Sequence, residues 1–519
     1  MASTFFGLPI GYSGLQVANT TLTITGHNVS NINTKGYTKQ QAGTQAADAL
    51  RTHTTYGAIG SGVVVTEISQ IRDSYYDVKY RNNMANYGQY SVKESYMGQI
   101  EDYLDEFTLN GYSQEYKNFF SAVNQLTITP GDTSAKNQLI NNAKSLADYF
   151  NTLTTNLRNV QADANNEIKD AVQQINSYAK NIAALNRQIN QIEANYGNAN
   201  DLRDKRNAMI DELSEIVNLE TSEEDMGNNV SNFSVRINGQ TLVSSYSYNT
   251  LETVARTDKK NYSDAEGLYD VQWNSGQKFD MYSTSLSGHL KGLIDIRDGN
   301  NGEHENIETD DDGNNVTDSD GNLVLTTAPA ADKTVSYKGV PYYQAQLNEF
   351  AKIFSDAVNK IMKSGYTSDG SSKGISLFVT QPNTTVMSAG NITVNPELLK
   401  NADLLAIKKE QNDGESDAKI MEELNKLQSE KIFAGGTGSY FLESIVSDMS
   451  IDSQKAVNLY KNYTDLKTSI HNQRLSIMGV DTDEEAMDMI KYQQAYNLNS
   501  KMMSVMNQIY DKLINQTGI

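Results

Sequence analysis

Each end of this 519-residue chain carries apolar side chains at heptad spacing on an otherwise polar segment. At the front the seam is Leu8, Leu15, Ala18, Leu22, Val29 and Ile32; at the back it is Leu498, Met502, Val505, Ile509 and Leu513. Gaps of three, four and seven put such residues on one helix face. The stripe is too narrow for a buried core helix and suits a coiled-coil partner. The simplest partner for each end is the other. A chain whose termini pair with each other, or with copies of themselves, is expected to be a building block rather than a catalyst.

Composition narrows the partners. Mean hydropathy is -0.55 and 38% of residues are hydrophobic, a lean composition for a chain long enough to hold several domains. The net charge of -21 and pI near 4.7 repel nucleic-acid backbone and anionic membrane alike, so neither is an expected partner. No apolar run approaches the roughly 18 residues of a transmembrane helix. The first basic residue is Lys35, so a cleaved secretory signal is not expected either. The chain has no cysteine, which removes disulfides and thiolate chemistry together.

Periodicity divides the chain into five stretches. Residues 1–73 hold the front helix, the polar connector Asn31-Ile32-Asn33-Thr34-Lys35-Gly36-Tyr37, and extended structure from 38 onward, including Val63, Val64 and Val65. Residues 74–219 read as the first half of a helical rod. Its best segment alternates threes and fours from Ile168 through Val172, Ile175, Ala179, Ile182, Leu185 and Ile189 to Ile192. Residues 220–345 read as a β-rich outer insert, since Phe233, Val235 and Ile237 alternate with polar residues into Asn238-Gly239, a strong hairpin signal. Tyr269, Val271 and Trp273 before Ser275-Gly276 repeat the pattern, and the Asp- and Gly-rich stretch 299–322 reads as a solvated loop. Residues 346–479 are the returning half of the helical rod, with Leu347, Phe350, Phe354, Val358 and Ile361 at helical spacing and a small strand region at 375–395. Residues 480–519 form the last helix. The expected fold is mostly α with a β-rich insert: an elongated, nested multidomain rod with a helical bundle domain, an outer β domain and terminal helices in an axial coiled coil.

Catalytic and metal chemistry find no footing. His27, His53, His289, His304 and His471 are scattered without a second His at helical spacing. Glu308, Asp310, Asp312 and Gly313 imitate half a calcium loop, but Ser319 stands where a bidentate Glu belongs. Gly57 to Gly62 lacks the lysine of a phosphate loop, its place taken by Val63. Acidic pairs say little in a chain with 64 acidic residues. No cofactor, metal or catalytic residue is expected. The 30 tyrosines, many on helices such as Tyr75, Tyr80, Tyr87 and Tyr96, suit either amphipathic packing or subunit interfaces.

The string from Gly26 to Gln40, with Asn28, Ser30, Asn31, Asn33, Thr34, Gly36 and Tyr37 as its marked positions, closely resembles the signature of bacterial flagellar rod, hook and hook-associated proteins. Glu484 to Tyr496 resembles the terminal helix of the hook-associated members. Phe5 to Leu8 with Gly14-Leu15, Asp201 to Arg206 with Glu212-Leu213, and Leu290 to Asp298 match more loosely. The resemblance implies a structural, non-enzymatic protein of the hook–filament junction, needed for filament assembly and motility. It implies a ring of copies whose terminal helices pair along the axis, with hook protein and a second hook-associated junction protein as neighbours. It also implies an extracellular position reached through flagellar type III export. An export chaperone is expected to hold the last helix around Ile490, Tyr496, Leu498, Met502 and Val505. Two alternatives are another axial subunit, either hook protein or a flagellin-like filament protein, and a flagellar scaffold carrying an enzyme in its insert.

Overall fold

The computed structural model describes residues 7–49, 60–106, 112–302 except 258, 306–307, 325–326, and 335–516 except 383, 385, 415, 434 and 435. The acidic stretch around His304, Glu308, Asp310, Asp312 and Ser319 lies outside the described residues, as do His53, Phe5 and Phe6. In chain order the elements are α1 (Gly7–Ser30), β1 (Gln40–Ala46), β2 (Val63–Gln70), α2 (Ser74–Glu106), α3 (Tyr112–Ile128), α4 (Thr133–Glu193) and α5 (Asn200–Ile216). Then come β3 (Glu220–Asp225), β4 (Ser231–Ile237), β5 (Gln240–Ser244), β6 (Ser247–Tyr248), β7 (Leu251–Ala255), β8 (Tyr269–Trp273) and α6 (His289–Asp298). After β9 (Asn306–Ile307) and β10 (Leu325–Thr326) follow α7 (Val340–Lys363), β11 (Tyr366–Thr367), β12 (Phe378–Thr380), β13 (Ile392–Val394), α8 (Pro396–Lys400), β14 (Ala406–Lys408), α9 (Lys419–Lys426), α10 (Gly438–Met478) and α11 (Thr482–Asn515). The chain is mostly helical with several small antiparallel sheets. Among the described residues no helix is long and apolar enough to cross a membrane.

Local chemistry explains most boundaries. Pro130 and Gly131 interrupt the helical pattern, and Asp132 then accepts from the Ser134 amide at 2.8 Å to start α4. The 61-residue α4 buries Ile168, Val172, Ile175, Ala179, Ile182 and Ile189, whereas Ile192 in its last turn is exposed. Asn238 and Gly239 adopt φ of 49° and 76°, the left-handed pair of a tight hairpin turn, and β4 pairs with β5 through Ile237 and Gln240. The stretch 220–345 is less purely β than its alternation suggested. Residues His289–Asp298 form α6, in which every residue after His289 is buried, the charged Lys291, Asp295, Arg297 and Asp298 included.

The chain folds into two compact units. One contains 1–85, 174–250 and 463–519, and therefore both termini; the other contains 86–173 and 251–462. Three of the four divisions fall within α2, α4 and α10, and the fourth falls between β6 and β7. In the second unit an aromatic cluster forms the core. Phe350 stacks on Phe150, Phe354 and Phe433 at centroid distances of 5.3, 5.6 and 5.0 Å, with Phe119, Phe120 and Phe378 around them. Each such pair contributes about 0.5–1.5 kcal/mol beyond simple burial. The same unit buries a charged knot: Asp298 binds Arg256 at 2.7 Å and Arg297 at 2.6 Å.

In the first unit β1 and β2 form a two-stranded antiparallel ribbon with a register shift between Gly43 and Thr44. A four-stranded antiparallel sheet runs in the order β3-β4-β5-β6. Helices α1 and α11 lie together in antiparallel sense, since Gly7 approaches Met506 while Asn28 reaches Glu485.

Candidate assembly site

Helix α1 meets α11 through its smallest residues. Gly7, Gly11, Gly14, Ala18, Thr21, Thr25 and Asn28 follow one another at gaps of four and three, and the last four are 4%, 7%, 3% and 2% exposed. A Cβ placed on Gly14 would lie 2.6 Å from Asn499 Oδ1, on Gly7 2.8 Å from Met506 Cε, and on Gly11 3.0 Å from Met503 Cγ. The glycines therefore set how closely the two helices approach, because backbone rather than side chain forms the contact surface. On α11 the facing positions include Glu485, Asn499, Met503, Met506 and Tyr510, again at heptad spacing.

The expected apolar seams do not meet each other. Leu8, Leu15, Leu22 and Val29 each sit next in sequence to a position of the small-residue seam, and they are half-buried. Ala18 alone belongs to both sets, and Ile32 lies beyond the helix end, 39% exposed. On α11, Met502 is half-buried and flanks the contact, whereas Leu498, Val505, Ile509 and Leu513 are 69%, 46%, 47% and 46% exposed. Their stripe lies roughly a quarter of a turn away from the face that meets α1, at 3.6 residues per turn. Helical spacing alone does not choose between two faces that share a period. A glycine seam needs no large apolar residue to bury its partner. The signal for it was present as small residues in a strict four-three alternation from Gly7 to Asn28.

At the far end of α1 the marked string forms a knot centred on Asn28. Its Nδ2 donates to Gln40 O at 2.9 Å and to Glu485 Oε1 at 3.2 Å. Its Oδ1 accepts from Tyr37 OH at 2.8 Å and from the Gln40 amide at 3.0 Å. Both amide hydrogens and both lone pairs are used, which no other short side chain at this position reproduces. Because Tyr37 spends its one proton on Asn28, His27 Nδ1, 2.9 Å from the same hydroxyl, must donate to it. Burial, then the charges of Asp201, Asp204 and Glu485, push the Tyr37 hydroxyl up from its ordinary value. Asn31 Nδ2 donates to His27 O, and Thr34 Oγ1 donates to Asn31 Oδ1, closing the turn locally. Ser30 Oγ bonds back to Gly26 O, and Asn33 is exposed.

The loop is clamped onto α5 and α11. Gly36 has φ 80°, and a Cβ there would stand 2.9 Å from the Ala208 Cβ. Thr38 donates from its amide and its hydroxyl to the two oxygens of Asp204, at 2.9 and 2.7 Å. Burial raises the Asp204 carboxyl, while these bonds and nearby Arg72 oppose that rise. Gln40 Nε2 donates to Asp201, and Lys35 pairs with Glu212 at 2.6 Å. Lys39 pairs with Glu484 and Glu485 at 2.7 and 3.1 Å. Burial alone would lower the Lys39 ammonium, but its bonds to the two glutamates raise it. Asp481 caps α11 by accepting from the amides of Asp483 and Glu484. Below the knot Arg474 bridges Asp77 and Asp211, at 2.8 and 2.6 Å, while Arg72 and Arg81 bind the same two carboxylates from the other side. Three sequence stretches that carried the resemblance separately, 26–40, 201–212 and 484–496, thus converge at one point.

Ile490, Leu498 and Val505 are exposed and Tyr496 and Met502 half-buried along α11. Among the described residues no group of three or more His, Asp or Glu is arranged to hold a metal ion.

The family model for the flagellar hook-associated protein FlgK helical domain matches residues 97–378. The model for the C-terminal region of flagellar basal body rod FlgEFG proteins matches 471–516, which includes all of α11. Flagellar hook-associated protein 1 of Bacillus subtilis is 26% identical over 100% of this chain and 99% of its own length. The protein of the same name from Salmonella typhimurium is 27% identical over 97% of this chain and 98% of its own. The structure of the flagellar hook junction protein FlgK from Burkholderia pseudomallei superposes with a TM-score of 0.60 at 15% identity, covering 77% of this chain and all of that one. The chain belongs to the flagellar hook-associated protein FlgK family.

Proposed function

We propose that this protein is a structural subunit of the bacterial flagellum that joins hook to filament and is required for filament assembly and motility. The observation that carries this reading is the pairing of α1 with α11, which uses a glycine-lined seam and leaves a second apolar stripe of Leu498, Val505, Ile509 and Leu513 in solvent. A helix with two apolar faces has one for its own chain and one for a neighbour. Copies joined through that second face form the axial ring, with half-buried Leu8, Leu15, Leu22 and Val29 of α1 beside it and Ile32 in the loop that follows. Hook protein adjoins the ring on one side and a second hook-associated protein on the other. Before assembly the exposed stripe needs cover, and an export chaperone contacting Ile490, Tyr496, Leu498, Met502 and Val505 supplies it. Export through the flagellar type III channel then places the subunit outside the cell. No catalytic step belongs to this role. The nested five-part organisation, with its β insert between two helical halves, serves to return the last helix to the first.

Deleting the gene in its own host tests the reading. The expected phenotype is hooks without filaments, with flagellin lost to the medium; filaments of normal number would overturn it. Truncations lacking 1–32 or 484–519 should fail to restore filaments while the second compact unit keeps its fold by circular dichroism.

A further inference from the structure

Among the described residues four lysines are buried: Lys93, Lys136, Lys291 and Lys408, at 5%, 1%, 8% and 4% exposure. Three of them meet a carboxylate. Lys93 and Lys291 bind Asp295 at 2.7 and 2.8 Å, and Lys136 binds Asp403 at 2.8 Å. The fourth, Lys408 in β14, makes no ion pair or side-chain hydrogen bond with any described residue. A desolvated ammonium without a counter-charge is the costly arrangement that the other three avoid. Composition does not account for it, since the chain holds 64 acidic residues against 43 basic ones. Even Lys409, next along, binds Glu423 at 3.0 Å.

Backbone pairing sets two more free donors beside Lys408. Tyr366 in β11 stands opposite Lys408, and the turn that follows β11 returns the chain so that Lys373 stands opposite Tyr366 on its other side. Directly opposed residues of antiparallel strands project from the same face. The Gly374 amide donates to Gly365 O at 2.9 Å and the Thr367 amide to Ser372 O at 3.0 Å. Tyr366 and Lys373 are therefore a non-hydrogen-bonded pair, the kind whose side chains come closest. Lys408, Tyr366 and Lys373 form one row, graded from buried through half-buried to exposed. Neither the Tyr366 hydroxyl nor the Lys373 ammonium has a partner among the described residues. With strands about 4.8 Å apart, the two lysine stems start about 10 Å apart, and their four-carbon chains let both ammoniums converge on one ion.

Four carboxylates of the adjoining turns are engaged elsewhere. Asp369 accepts from Thr367 Oγ1, the Ser371 amide and Ser371 Oγ, and Asp403 holds Lys136. Asp413 accepts from the Glu410 amide, Asp417 accepts from the Lys409 amide, and both lie within 4 Å of Lys419. We propose that Lys408, Tyr366 and Lys373 form a binding site for a phosphate-class oxyanion, free or carried on a larger molecule. Lys408 supplies the buried charge, Tyr366 donates its hydroxyl proton, and Lys373 closes over the ion from solvent. Two point-charge ammoniums and a hydroxyl on three strands suit a tetrahedral anion, which offers oxygens in several directions. A planar carboxylate is better matched by a guanidinium fork, which the row lacks. All three residues belong to the second compact unit, so the site is independent of the terminal-helix pairing that carries the junction reading.

Titration calorimetry of the full-length protein with inorganic phosphate, at constant ionic strength and neutral pH, tests the site. Saturable millimolar binding is expected. A hydrogen bond to a charged group is worth roughly tenfold or more in affinity, so Lys408→Met and Lys373→Met should each weaken binding by at least that factor. Lys408→Met keeps the apolar stem and removes an unpaired buried charge, so it should fold as well as the wild type; Lys373→Met, at an exposed position, is the second variant. Phosphate should also raise the urea midpoint of the wild type and leave that of both variants unmoved. Absence of saturable heat with the wild type would overturn the site, and so would equal affinity in the two variants. Acetate bound as tightly as phosphate would overturn the phosphate assignment. Glycerol phosphate bound as tightly as the free ion supports a phosphoryl group carried on a larger molecule, whereas weaker binding supports the free ion as ligand.

Discussion

The Asn28 amide donates to the Glu485 carboxylate at 3.2 Å across 457 residues of sequence. Glu485 is 1% exposed, and its other partner is Lys39, so one buried carboxylate fastens the second turn of the last helix to the end of the first. Asn28→Ala leaves Glu485, the Gln40 backbone and Tyr37 OH short of a partner, with a loss of about 2–4 kcal/mol expected from stranded buried polar groups. Asn28→Asp should cost more, because it sets a second carboxylate against Glu485. Urea unfolding followed through amide exchange of α11 measures both, and an Asp variant as stable as the wild type would contradict the knot.

The glycine seam makes a positional prediction. Gly14→Leu should separate α1 from α11 and abolish incorporation into hooks, since even a Cβ there collides with Asn499. Gly26→Ala is the control: nothing lies within 4 Å of its Cβ, and the helix should gain about 1 kcal/mol of propensity. Filament counts and hydrogen exchange in α1 distinguish the two outcomes.

Gly36 should resist replacement for a different reason. Its φ of 80° strains any L side chain, and Ala208 blocks the space, so Gly36→Ala is expected to lose about 1–3 kcal/mol. The double variant Gly36→Ala/Ala208→Gly should recover the packing part and leave the backbone part, a difference readable in denaturant midpoints.

The exposed stripe predicts a separation of folding from function. Ile509→Ser with Leu513→Ser, in the exposed stripe but outside the chaperone contact, should change stability by less than about 0.5 kcal/mol per site, as surface replacements usually do. The same variant should be secreted intact yet build few or no filaments. Normal filament numbers would remove the stripe from the assembly.

Acid should test the charged knot of the second unit. Burial would raise the Asp298 carboxyl, but Arg256 and Arg297 hold it well below the usual carboxylate range. A carboxylate depressed on folding stabilises above its unfolded value of about 4, and that contribution is lost as pH falls through the lower folded value. Asp298→Asn removes the charge that Arg256 and Arg297 share, leaving Arg256 with Asp270 and Arg297 with Asn165 and the Tyr269 carbonyl, and should cost about 3–5 kcal/mol at neutral pH. Thermal unfolding between pH 2 and 7 should show the wild type losing stability at the acid end of this range and the variant varying less there.

Much of the local structure was legible in the chain. The Asn238-Gly239 hairpin and the long run from Ile168 to Ile189 rest on backbone rules that act within a few residues, whereas the break at Pro130 and Gly131 was passed over. Helix α6 falls inside a stretch read as β, and its ten residues are too few for the spacing of Leu290, Leu293 and Ile294 to outweigh the alternating segments before it. The contacts of the marked string were not legible. Its residues stood out as a pattern, but nothing nearby in sequence indicated that Thr38 would bind Asp204 or that Asn28 would bind Glu485.

By itself the sequence determined that both ends form heptad helices and that a polar glycine-bearing loop follows the first. Only the tertiary structure decided which faces meet. Large apolar residues mark a face that can be buried, but Gly7, Gly11 and Gly14 permit the closer backbone approach, and close approach wins the intramolecular pairing. Leu498, Val505 and Ile509 are left outward on the same helix, a consequence of a competition between faces that a periodicity cannot express.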